Sequence, residues 1–148
     1  MTLQLVNDAR AGPPVEILLE ATAPALFEVD GRIVATHGNG PLITSDAPAS
    51  GGEVVVMYAT GLGPTRPAAI PNRLAEIPAQ MADIDRFQVE IDGIPVPREN
   101  IEYAGVTPGF AGLFQINLRL PANAPGDPRI RVGYPGRLSP AGPVLPLR

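Results

Sequence analysis

The chain has no cysteine, no tryptophan, no lysine and only one histidine among its 148 residues. Without cysteine, disulfides, thiolate metal sites and cysteine nucleophiles are all excluded. The single histidine, His37, would have to serve any Ser-His-Asp arrangement. Ser45 and Asp46 lie near it, but THGNGPLITSD has no nucleophile elbow and reads as a loop between strands, so no catalytic residue is assigned. Basic charge is sparse as well. Eleven arginines against 15 acidic residues give a net charge of -4 and a pI near 4.9, which removes the positive footprint expected for nucleic acid or an anionic membrane surface. No apolar run is long enough to span a bilayer, and residues 1–20 lack the zones of a signal peptide. If the protein is exported, its signal has been cut off or lies upstream of this chain.

Helical periodicity is also nearly missing. What is present is short apolar-polar alternation, broken repeatedly by 19 prolines and 16 glycines, in a chain 45% hydrophobic and 18% charged. That composition belongs to a folded protein, and the alternation to an all-β one. Strands are expected at 2–6, 15–20, 26–29, 32–35, 53–59, 87–91, 94–96, 101–104, 114–120, 129–133 and 144–147. In Phe114-Gln115-Ile116-Asn117-Leu118-Arg119-Leu120 one face is apolar and the other polar, predicting a half-exposed strand. Val54-Val55-Val56-Met57-Tyr58 is apolar on both faces and predicts a central strand. Asp92-Gly93 and Asp30-Gly31 supply the positive φ angles of tight hairpin turns, and Pro95 and Pro97 mark an edge strand. Residues 64–86 read as a long Pro-rich loop, with one helical turn after Asn72 ended by Pro78. The expected architecture is an immunoglobulin-like two-sheet β-sandwich, mostly antiparallel, over residues 13–148, with residues 1–12 forming an N-terminal strand arm and linker. A closed barrel is the alternative.

Candidate sites are few. Asp83 and Asp85 share one side of an extended chain, and Glu90 and Asp92 repeat that spacing. Calcium needs six to eight oxygen ligands and no glycine-spaced Asp/Asn loop supplies them, so a solvated acidic edge is the simpler reading and no metal is assigned. Gly61-Leu62-Gly63 in YATGLGP lacks the Gly-Lys-Ser/Thr of a phosphate loop, and Pro64 and Pro67 oppose the helix that anion binding would require. It reads as a turn, with no cofactor assigned. Only three tyrosines and four phenylalanines are available as aromatic platforms. Tyr58, Phe87 and Phe114 are expected in the core, leaving Tyr103, Phe110 and Tyr134 for the surface.

Two blocks, GGEVVVMYATGLGPTRP and IEYAGVTPGFAGLFQINLRLPANAPGD, together resemble the Solibacter-type C-terminal domain, an uncharacterised family found at the ends of large secreted bacterial proteins. The motif residues carrying the resemblance are Tyr58, Gly61, Gly63, Pro64, Tyr103, Gly105, Pro108, Gly109, Gly112, Gln115 and Asn117. Upstream, TAPALFEVDG is similar to the family's Ala-Pro-Gly-Ile-Phe segment, with Ala25 where glycine is usual. The resemblance implies an extracellular or cell-surface immunoglobulin-like module, with no catalytic residue to transfer and no ligand. Read physically, Gly105, Pro108, Gly109 and Gly112 make a turn leading into the strand at Phe114, and Gln115 and Asn117 are expected to bond a neighbouring loop such as TGLGP, the alternative being that they face a partner.

The expected function is therefore a non-catalytic module with a structural, adhesive or protein-interaction role, whose partners are other protein domains or copies of itself met through sheet edges, without membrane insertion. Leu3 and Leu5 of the arm, with Tyr103 and Phe110, are the candidate interaction residues. A self-assembling subunit of an extracellular filament, using the arm for strand addition, is the second reading, and a carbohydrate-binding module the third.

Overall fold

The computed structural model describes residues 1–38, 40–70 and 73–148. No α-helix occurs among them, only 3-10 turns at Ile84–Arg86 and Arg98–Asn100. The Pro- and Gly-punctuated sequence folds as several antiparallel sheets that do not close into a barrel.

Strand Val54–Thr60 is central. It pairs along its length with Phe114–Arg119, setting Met57 opposite Ile116 and Val55 opposite Leu118. Ala35–His37 and Ala25–Leu26 pair with its other side. Beyond Phe114–Arg119 the sheet continues through Ile101–Val106 and Gln80–Met81 to Thr65–Arg66. Because side chains alternate across a strand, Val55, Met57, Ala59, Ile116 and Leu118 all turn to one face, where each is fully buried. A second sheet runs in the order Ile94–Pro95, Gln88–Ile91, Ile130–Tyr134, Arg137–Leu138. Its Val89, Ile91, Ile130 and Val132 join the same core cluster. The molecule is thus all-β, with two main antiparallel sheets contributing to one core.

The hairpin turns form where Asp-Gly predicts them. Asp92 and Gly93 have φ of 49° and 82°, and Asp30 and Gly31 of 51° and 73°. Ile94–Pro95 lies at a sheet edge, as its prolines require. Other expectations shift. The expected strand at 26–29 divides between Ala25–Leu26 in the main sheet and Glu28–Val29, which pairs with Arg32–Ile33. Residues 144–147 make isolated bridges to Arg32, Arg129 and Ala49 instead of a strand, because Pro143 and Pro146 lack the N–H groups a ladder needs. The 64–86 segment, expected as loop, adds the two outermost strands of the main sheet. The helical turn expected there starts at Asn72, which lies outside the described residues, and residues 73–78 contain no helix.

The N-terminal arm is a hairpin. Thr2–Leu3 pairs with Val15–Glu16, and Val6–Asn7 with Arg10–Ala11. The arm reverses because Asp8 and Ala9 both take positive φ, 46° and 62°. Met1 and Ile17 exchange backbone bonds of 2.9 and 2.7 Å, which completes the ribbon.

Candidate interaction surfaces

The YATGLGP motif is a strand end locked onto the chain segment before the first main-sheet strand. Gly61, at φ 69°, accepts a 2.8 Å bond from the Ala23 N–H, and a Cβ at this position would collide with the Ala23 carbonyl. Gly63, at φ 104°, would place a Cβ 2.7 Å from Thr22 Cγ2. Leu62 between them is fully buried, and the Pro64 carbonyl accepts a 2.9 Å bond from the Ala82 N–H. The motif is thus a packed strand end whose Gly61 and Pro64 carbonyls tie it to neighbouring segments.

Tyr103 is fastened in a similar way. Its hydroxyl lies 2.9 Å from the Val106 carbonyl and 3.2 Å from that of Ala79, and its ring covers Gly105, where a Cβ would strike both the ring and the Ala79 carbonyl. Burial raises the Tyr103 pKa above the ordinary tyrosine value. Gln115 and Asn117 bond each other, Nε2 to Oδ1 at 3.2 Å, rather than the TGLGP loop, because alternation sets both on the outer face of one strand. Tyr134, expected at the surface, is buried against Phe87 in an edge-to-face pair with centroids 5.7 Å apart. Its strand supplies the second sheet, and its pKa is also raised, first by burial and then by the Asp83 charge.

The polar candidates serve structure. His37 Nδ1 lies 2.6 Å from Glu53 Oε1 and Nε2 lies 3.1 Å from the Ala47 carbonyl, so neither ring nitrogen is directed to Ser45 or Asp46. Asp83 takes Arg86 at 3.2 Å, and Asp92 Oδ1 accepts the Arg129 N–H at 2.9 Å. Among the described residues no three His, Cys, Asp or Glu side chains are grouped to hold a metal. A hollow of about 430 Å³ beside Tyr134 contains Asp83, Arg86 and Arg137, but Arg86 is paired with Asp83 and Arg137 with Glu20 at 2.6 Å.

Apolar surface is left open in three places among the described residues; one is a hollow of about 260 Å³ lined by Ile70, Leu74 and Ile77 beside Arg73 and Glu76, and the other two carry residues singled out from the sequence. Of these two, the first is a groove of about 360 Å³ lined by Phe27, Val34, Tyr58, Thr107, Phe110 and Leu113. The turn at 107–113 builds one wall. The Thr107 N–H bonds the Leu113 carbonyl at 2.9 Å and the Phe110 N–H the Thr107 carbonyl at 3.3 Å, while Gly109 and Gly112 take φ of 83° and 68°. Pro108 sits within this turn, and Phe110, at its tip, is 59% exposed. The opposite wall is Phe27, whose N–H bonds the Tyr58 carbonyl at 2.9 Å. Its polar side-chain atoms are the hydroxyls of Tyr58 and Thr107, and that of Thr107 is buried without a hydrogen-bond partner among the described residues.

The second surface is the hairpin. In its register Met1 faces Ile17 and Leu3 faces Val15. Directly opposed residues share a face, as do residues two apart, so Met1, Leu3, Leu5, Val15 and Ile17 form one apolar face while Thr2, Gln4 and Glu16 lie on the other. The exposures on the apolar face are 62%, 52%, 77%, 57% and 37% respectively.

Of the expected interaction residues, Phe110 meets Tyr58 in the groove, and Leu3 and Leu5 meet on the hairpin. Tyr103 joins neither surface. Phe27, Val34, Leu113, Val15 and Ile17 were not singled out from the sequence. A turn at Asp8-Ala9 alone would not have marked the hairpin face, because the register shifts by one residue between the Val6–Ala11 and Leu3–Val15 pairs, and that shift sets Val15 and Ile17 opposite Leu3 and Met1.

Compared with known proteins, the chain matches no family model, no curated protein and no solved structure.

Proposed function

We propose that the chain is a non-catalytic, immunoglobulin-like β-sandwich module of the Solibacter-type family, acting outside the cell or at its surface in a structural, adhesive or protein-interaction role. The observation that carries this reading is the amphipathic hairpin, five of whose aliphatic side chains form one face directed into water. Exposed apolar faces of this kind mark interaction sites. The side chains from which a catalytic constellation would be drawn hold loops together: His37 is held by Glu53 and Ala47, and Asp83 by Arg86. A carbohydrate-binding role is less well supported, because the groove's polar side-chain atoms are only the Tyr58 and Thr107 hydroxyls, the latter buried, with no carboxylate, amide or guanidinium to bond sugar hydroxyls.

A turnover screen over ester, peptide and glycoside substrates tests the proposal. No turnover is expected. Hydrolysis that disappears in His37→Ala, or in Asp83→Asn combined with Asp85→Asn, would overturn it.

A further inference from the structure

We infer that the partner of the hairpin is a second copy of this chain, with the face formed by Met1, Leu3, Leu5, Val15 and Ile17 of one copy seated on the groove of Phe27, Val34, Tyr58, Phe110 and Leu113 of the next. This inference rests on reading the chain as an interaction module.

A two-stranded ribbon is marginal in water by itself and needs a covering surface. The body of the same chain does not provide one. Among the described residues, every hydrogen bond made by residues 1–17 stays within the ribbon. Leu18 and Leu19, which lead away from it, are 82% and 65% exposed. The first anchors to the body come after them, in the Glu20–Arg137 ion pair and the Ala23–Gly61 bond.

The groove suits this occupant. Its lining carries no charge and offers aromatic and aliphatic walls, so an uncharged aliphatic face enters without stranding a buried charge, which a charged segment would do. The hairpin face is likewise free of charge, with Glu16 on its other side and Asp8 and Arg10 at its tip. Five half-exposed aliphatic residues present on the order of 400–500 Å². Covered by a partner that loses as much area as they do, they would bury on the order of 1,000 Å² in total, which is where specific association begins.

One contact would cover the hairpin face and the groove together, whereas hairpin against hairpin would leave the groove open. Because the two surfaces are different patches on one chain, each copy offers one of each. The contact is therefore head-to-tail and repeats into an open row or a closed ring.

Sedimentation velocity of the full chain over a wide concentration range, with two substitutions, tests this. The unaltered chain is expected to grow in size with concentration. Leu5→Asp on the hairpin and Phe110→Asp at the groove should each weaken self-association by at least about tenfold. Both side chains are exposed, so thermal unfolding of either variant should match the unaltered chain. An equimolar mixture is the decisive sample. Leu5→Asp keeps its groove and Phe110→Asp keeps its hairpin, so together they should form a one-to-one dimer that grows no further. The inference is overturned by a chain that stays monomeric, by Phe110→Asp assembling like the unaltered chain, or by a mixture that fails to form the dimer. Those outcomes leave the non-catalytic reading intact, since it stands on the turnover screen.

Discussion

The strand Phe114–Arg119 and the first arm of the hairpin are written in the same pattern and end in opposite environments. Ile116 and Leu118 alternate with Gln115, Asn117 and Arg119, just as Leu3 and Leu5 alternate with Thr2 and Gln4. In the body the apolar members are fully buried, while on the hairpin they are 52% and 77% exposed. Alternation makes a strand two-sided, but it does not supply the surface that covers the apolar side. In the body that surface is the second sheet. For the hairpin we assign it to another molecule.

The sharpest way to break the comparison is to disturb the lock that holds the body together. Gly61→Ala forces a Cβ into the Ala23 carbonyl at a positive φ and should cost on the order of 4 kcal/mol in urea unfolding. Next is a matched pair of truncations. Leu118→Ala, at a fully buried site, should cost about 3 kcal/mol, whereas Leu5→Ala in dilute monomer should stay within about 0.5 kcal/mol. Equal effects would mean that the hairpin is packed on its own body.

A smaller effect separates the body by pH. Burial makes Tyr103 and Tyr134 hold their protons above the ordinary tyrosine range when folded, so the unfolded chain loses these protons first. Their contribution should be complete below about pH 10 and be lost as pH rises through the raised folded values. Tyr103→Phe should cost about 1 kcal/mol at neutral pH through the lost backbone bond, and should make the alkaline decline shallower in a stability series from pH 8 to 12. The smallest effect is expected from removing residues 1–17. Dilute monomer should keep its unfolding midpoint to within about 0.5 kcal/mol, and a large loss would show that the ribbon belongs to the body's cooperative unit.

Much of the body was legible in the sequence, because its signals are local. Val54 to Tyr58 is apolar on both faces and became the central strand. Asp30-Gly31 and Asp92-Gly93 demand positive φ and became the turns. Pro95 cannot donate to a ladder and lies at an edge. The candidate surfaces were less legible, because they depend on which residues meet. Phe110 was singled out without Phe27 or Val34, which approach it only through the pairing of separate strands. Leu3 and Leu5 were singled out without Val15 and Ile17, which join them only when Asp8 and Ala9 reverse the chain.

By itself the sequence determined that this protein is all-β, where its chain turns and which strand is most deeply buried, because backbone preference and side-chain alternation act within a few residues. The tertiary structure alone decided that Tyr134 is core, that Gln80 and Met81 extend the main sheet, and that Phe27, Tyr58 and Phe110 face one groove. Those outcomes depend on contacts between segments far apart in the chain, which no local pattern encodes.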